Sequence, residues 1–137
     1  MDDEDVKSKL AGVIGRAHEA TRKEQDNRER VQKWIREQGR PTFDRLQRIL
    51  NEIGVQDATN RWDDLVGTVS FGDTGNGFTY VIELTVSPKG VTGTTHIRAP
   101  GQEERTHGPV ENIVKWTQDH IVDDFVKGLD SWHPEKK

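Results

Sequence analysis

Apolar residues recur early in the chain at alternating steps of four and three: Val6, Leu10, Val13, Ala17 and Ala20, then Val31 and Trp34, with Glu24 and Asn27 in the same stripe. This spacing lines one face of a helix and predicts a long polar helix over residues 1–38. Residues 21–30, TRKEQDNRER, supply no apolar side chain. Gly12 and Gly15 each cost about 1 kcal/mol relative to alanine inside a helix, so fraying at the acidic start and a break near Gly15 are expected. The heptad spacing admits a coiled-coil partner, and Glu24 and Asn27 in the seam oppose a long dimeric coil. Packing against the chain's own sheet is the alternative.

Gln38-Gly39-Arg40-Pro41 reads as the stop of this helix, because glycine suits a C-cap and proline cannot continue the ladder. A second helix is expected from Thr42, with Phe43, Leu46, Ile49, Leu50 and Ile53 on its core face and Gly54 at its end. Residues 55–64, VQDATNRWDD, read as a connection. From Leu65 the period changes to two, which predicts strands over 65–71 and 78–87. A Ser87-Pro88-Lys89-Gly90 turn leads into a third, more polar strand over 91–98. Pro109 and Glu111 suit a helix start, and Val110, Ile113, Val114, Thr117, Ile121, Phe125 and Leu129 share an arc, so a last helix is expected from there to about Gly128. The fold class is α+β: N-terminal helices, a three-stranded antiparallel β-meander, and a C-terminal helix packed on one sheet face. One domain is expected, with 42–129 as its helix–meander–helix core and 130–137 as a tail.

The chain has 137 residues, 31 % of them hydrophobic, and no cysteine. That composition excludes a disulfide framework, a thiol nucleophile and a Cys-ligated zinc site. No apolar run approaches the roughly 20 residues that span a bilayer, and Met1-Asp2-Asp3-Glu4-Asp5 lacks the basic and apolar regions of a signal peptide. A soluble cytoplasmic protein with no membrane contact is expected. Net charge is −4, yet residues 16–48 carry +4. There Arg28, Arg36 and Arg45 are candidate nucleic-acid contacts, although the interleaved acids are the pattern of an ion-paired, solvated helix, which is the favoured reading.

Candidate chemistry is sparse. Ser70–Phe78 reads SFGDTGNGF, and its triplet Asp73-Thr74-Gly75 resembles that of dimeric aspartic proteases in those three residues alone. Such an enzyme needs two carboxylates sharing a proton in a β-rich frame. Here Gly72 precedes the triplet, Asn76-Gly77 follows it and helices fill much of the chain, so a hairpin connection is the better reading. Gly72, Gly75 and Gly77 join strand to strand, unlike a phosphate loop. His107 falls just before the expected last helix and His120 about eleven residues inside it, too far apart to share a metal if that helix is continuous. His120 with Asp124 reads as a polar pair, His96 as a solvent-facing strand residue beside Thr92, Thr94 and Arg98, and Asp57, Asp63 and Asp64 as solvated acids around Trp62. No catalytic, cofactor or metal set emerges.

Trp34, Trp116 and Trp132 are candidate interaction anchors; core packing is the favoured reading for the first two, and docking onto the domain itself is the alternative for Trp132. The leading expectation is a non-enzymatic accessory or adaptor protein that binds an unidentified protein partner, with a homodimer through the long helix or an exposed strand among its forms. A nucleic-acid-associated factor using residues 22–48 is one alternative. A small-ligand-binding domain with a cleft between sheet and helices, His96 at its mouth, is the other.

Overall fold

The structure, a computed structural model, describes residues 2–72 and 77–130. Helix α1 spans Asp3–Trp34 and starts under strong local direction: the Asp2 side chain accepts the Asp5 N–H at 2.9 Å, and Asp3, Glu4 and Asp5 sit at the positive end of the helix. The helix runs through Gly12 and Gly15 without a break, contrary to expectation. The expected stop at Gly39–Pro41 is also absent. A π-helical turn over Ile35–Gly39 carries the chain directly into α2, Arg40–Glu52.

The wide turn accommodates what proline removes. The Arg40 N–H reaches back five residues to the Ile35 carbonyl, and the Thr42 hydroxyl donates to the Gln38 carbonyl at 2.6 Å. Gly39 stays in the right-handed helical region, so its missing side chain serves packing rather than capping. A Cβ there would lie 2.8 Å from Cζ2 of Trp62. The same indole covers Gly67, its partner across the strand pair, where a Cβ would meet ring atoms at 2.4 Å. Two glycines therefore form the slot that holds one tryptophan between helix and sheet.

The sheet has five strands, not three, in the order β1 (Thr59–Asp63), β2 (Val66–Phe71), β3 (Phe78–Ser87), β4 (Gly90–Arg98), β5 (Arg105–Glu111), every pair antiparallel. Strand β1 occupies the segment read as a connection. Its only large apolar residue is Trp62, so alternation was too faint to register. Strand β5 occupies the start expected for the last helix. Pro109 fits there because an edge strand leaves N–H groups unpaired in any case, and Gly108 (φ 133°) comes so close to β4 that a Cβ would lie 2.9 Å from the Gly93 carbonyl oxygen. The chain leaves β5 through Asn112 in the left-handed region (φ 57°) and a 3-10 turn, Ile113–Lys115, before α3, Gln118–Asp130.

One sheet face is covered. Val69, Phe78, Tyr80, Ile82 and Leu84 meet Val31 and Trp34 of α1, Phe43, Leu46 and Leu50 of α2, and Ile121 and Phe125 of α3 in one continuous cluster. Phe125 packs edge-on against both Phe78 and Tyr80. The other face is open and rich in threonine: Thr68, Thr79, Thr85, Thr92 and Thr94 all point outward by the strand alternation.

Candidate functional site

The helical stripe read from the sequence divides into two halves. Asn27, Val31 and Trp34 are buried on the sheet. The preceding members of the same stripe run off its edge: Val6, Leu10 and Val13 are 38, 55 and 54 % exposed, and neighbouring Ile14 is 51 % exposed. Between residues 2 and 19 every residue except Gly12 is exposed, and partial burial resumes at Ala20 and Glu24. The chain thus presents an arm of about 27 Å from Asp3 to Ala20 with an apolar seam and an acidic tip.

Where the arm joins the domain, the β3–β4 turn rises beside it. A groove of about 540 Å³ opens there, lined by Arg16, Glu19, Ala20 and Lys23 of α1 and by Pro88 and Lys89 of the turn. Next to it a hollow of about 250 Å³ has Lys23, Arg30 and Lys89 on its walls. Arg16, Lys23 and Arg30 repeat every seven residues and so share one stripe of the helix. Asn27 secures the junction: its Nδ2 donates to the Ser87 carbonyl at 2.9 Å and its Oδ1 accepts from Arg30 at 3.2 Å. The amide that weakens the seam for a coiled coil is what ties α1 to the β3–β4 hairpin.

A second polar group lies on the open face. His96 is held between two carboxylates, Nε2 at 3.0 Å from Glu83 Oε2 and Nδ1 at 3.1 Å from Glu104 Oε1, with the Thr106 hydroxyl also 3.1 Å from Nδ1. Arg98 reaches Glu104 at 3.5 Å. His96, Arg98 and Glu104 border a hollow of about 230 Å³ together with Thr79 and Val81. Both ring nitrogens are committed to the protein's own groups, so the cluster ties β3, β4 and β5 together. The register that makes it, Val81 opposite His96 and His96 opposite Thr106, is invisible in the sequence.

A third lies at the core's margin. The Tyr80 hydroxyl donates to Asp124 Oδ2 at 2.6 Å, and Asp124 Oδ1 lies 3.8 Å from His107 Nδ1. Burial, then the Asp124 charge and the hydrogen bond to it, hold the Tyr80 hydroxyl well above the usual tyrosine range. Asp124 is therefore turned to Tyr80 and His107, while His120 stacks on Trp116 at 4.1 Å instead of pairing with Asp124.

The remaining candidates are dispersed. Trp34 is buried, its Nε1 donating to the Trp116 carbonyl at 2.8 Å, and Trp116 is buried as well; both rings belong to the core. Trp132, like Asp73, Thr74 and Gly75, lies outside the described residues. Arg28, Arg36 and Arg45 are all exposed, with Arg36 and Arg45 nine residues and so about 13 Å apart along the helix. Asp57 accepts the Gly72 N–H at 2.7 Å, Asp63 pairs with Arg61 at 3.2 Å and Asp64 holds a left-handed turn, so the three acids do not form a cluster. Among the described residues no three His, Asp or Glu side chains are grouped to hold a metal, and no helix is long and apolar enough to cross a membrane. Comparison with protein-family models, with curated proteins and with solved structures finds no match for this chain.

Proposed function

We propose that the chain is a non-enzymatic accessory or adaptor protein that acts by binding another protein chain along the α1 arm. One observation carries the reading: the seam that forms core on the sheet continues past it as exposed Val6, Leu10, Val13 and Ile14. A helix-in-groove or helix-on-helix partner reads such a seam through residues at steps of three and four. The polar clusters point the same way, since His96, Asp124 and Asn27 are each engaged by the protein's own groups. The nucleic-acid alternative has less support, because Lys23 pairs with Glu19 and Arg48 with Glu52 on the very helices that would meet phosphates.

The test is photo-cross-linking in the protein's own cells, with a benzophenone side chain at Leu10 on the seam or at Ser8 on the opposite face. Protein adducts from position 10 that are absent from position 8 are expected. Equal adducts from both positions, or none from either, would overturn the reading.

A further inference from the structure

We infer that the protein bound by the arm is a second copy of this chain, docked antiparallel so that each acidic tip enters the other copy's basic groove. The inference rests on the arm-binding reading above and adds the partner's identity, direction and register to it.

Continuity of the seam gives the first argument. Ala20, Ala17, Val13, Leu10 and Val6 extend the line of Val31 and Asn27 away from the sheet at the same spacing, with Glu24 as its one charged member. A helix laid on that line continues the layer that the sheet provides further along. A partner helix of the same sequence matches it when Leu10 packs beside the partner's Val13 and Val6 beside the partner's Ala17. The bulky side chains then meet at the centre, and the alanines let the helices close up towards the ends.

Length fixes the same register independently. With the crossing point between residues 11 and 12, Asp3 of one copy falls opposite the partner's Ala20. That is where α1 first becomes covered by its own domain. The arm is therefore as long as the gap between the two domains, with neither overhang nor clash.

Charge decides the direction. The tip carries Asp2, Asp3 and Asp5 beside Glu4, which pairs with Lys7 at 3.6 Å, and the groove at Ala20 presents Arg16 and Lys89 beside Lys23, which pairs with Glu19 at 3.5 Å. Antiparallel docking brings tip to groove at both ends of the dimer. A parallel arrangement would instead set the two acidic tips side by side, where like charges repel, and would crowd both domains at one end.

The absence of native cysteine makes a direct test available on the full-length protein. A V6C/A17C variant is oxidised at micromolar concentration and its disulfides are mapped by mass spectrometry. The two positions lie about 16 Å apart on one helix, so a bond between them must join two chains. A 6-to-17 intermolecular disulfide is expected. Bonds of 6 to 6 and 17 to 17 would overturn the antiparallel register while leaving self-association in place. If no disulfide dimer forms and the wild-type chain sediments as a monomer at the same concentration, the second copy is refuted, and the cross-linking from Leu10 still decides whether the arm binds a different protein. In the wild-type background, reversing Asp3 and Asp5 to lysine should weaken the dimer about tenfold, a shift in line with two or three exposed ion pairs. Adding R16E and K89E should restore it. A reversal without effect, or without rescue, would remove the tip-to-groove contact.

Discussion

Tyr80 is the only tyrosine in the chain, and its hydroxyl lies in the core, so the ionisation of one buried group can be followed without interference. Its ring packs edge-on against Phe125 at 5.4 Å and tilted against Phe43 at 6.2 Å, and its O–H donates to Asp124 at 2.6 Å. Forming tyrosinate there would bury a negative charge next to another and abolish the donor. The folded protein therefore holds this pKa well above the ordinary value of 10.0. Because the pKa is raised on folding, the stabilisation it represents is complete below the unfolded pKa and is lost as pH rises through the folded one. Between the two, each pH unit removes about 1.4 kcal/mol, against a total stability on the order of 5–15 kcal/mol for a domain.

Alkaline titration should consequently show no tyrosinate absorbance while the near-ultraviolet circular dichroism of the buried tryptophans persists, and both signals should change together. Tyr80→Phe removes the linkage and with it this group's part of the alkaline loss. At neutral pH the same substitution should cost about 1–2 kcal/mol. That is at or below the lower part of the range for a hydrogen bond to a charged acceptor, because the Asp124 side chain keeps 17 % of its surface in water and can rehydrate. Tyrosinate appearing near the ordinary pKa with the dichroism intact would refute the assignment of Tyr80 as a buried donor.

Three further substitutions test the packing around the arm and the sheet. Gly39→Ala should destabilise by about 1–3 kcal/mol in urea unfolding despite the better helix propensity of alanine, since overpacking against the Trp62 ring outweighs it; a stabilised variant would show that the ring moves aside freely. Asn27→Ala should cost about 1–2 kcal/mol and raise hydrogen exchange in the β3–β4 turn, whose Ser87 carbonyl loses its partner; unchanged exchange there would mean that the amide does not hold the hairpin. His96→Ala should lower stability by less than about 1 kcal/mol, because Glu83 and Glu104 are 55 and 42 % exposed and remain hydrated; a larger loss in thermal melts would give the cluster a stabilising role that its exposure does not support.

How far the sequence discloses this fold depends on where apolar side chains carry the signal. The strand read over 78–87 is β3 to the residue, because it is central and alternates cleanly. Strands β1 and β5 leave little trace in the pattern because they lie at the sheet edges, where one tryptophan or one valine suffices and proline is tolerated. The π-helical turn defeated a sound rule: Gly39 and Pro41 are the residues of a helix stop, and only Trp62, brought up from β1, gives that glycine a different purpose. The polar clusters were harder still to see. His96 was placed correctly on the outward side of its strand, yet Glu83 and Glu104 join it only through cross-strand register and the 99–104 loop. Helical spacing matches Asp124 with His120, yet Tyr80 reaches it from the sheet.

The stripe from Val6 to Trp34 raises a deeper point, since identical spacing yields core at one end and exposed seam at the other. Spacing records which face of a helix is apolar, whereas the extent of the sheet decides which turns of that face are covered. The anchored half also explains why the exposed half is helical at all. An isolated helix of this length must meet the cost of nucleation, and Gly12 and Gly15 would weigh against it. Here residues 27–52 are fixed by the core, so the arm needs only to propagate from an existing helix, with Asp2 capping its far end. A partner that docks on Val6, Leu10 and Val13 consequently meets a seam already in its bound shape. Ordering losses on any association there are small under that condition.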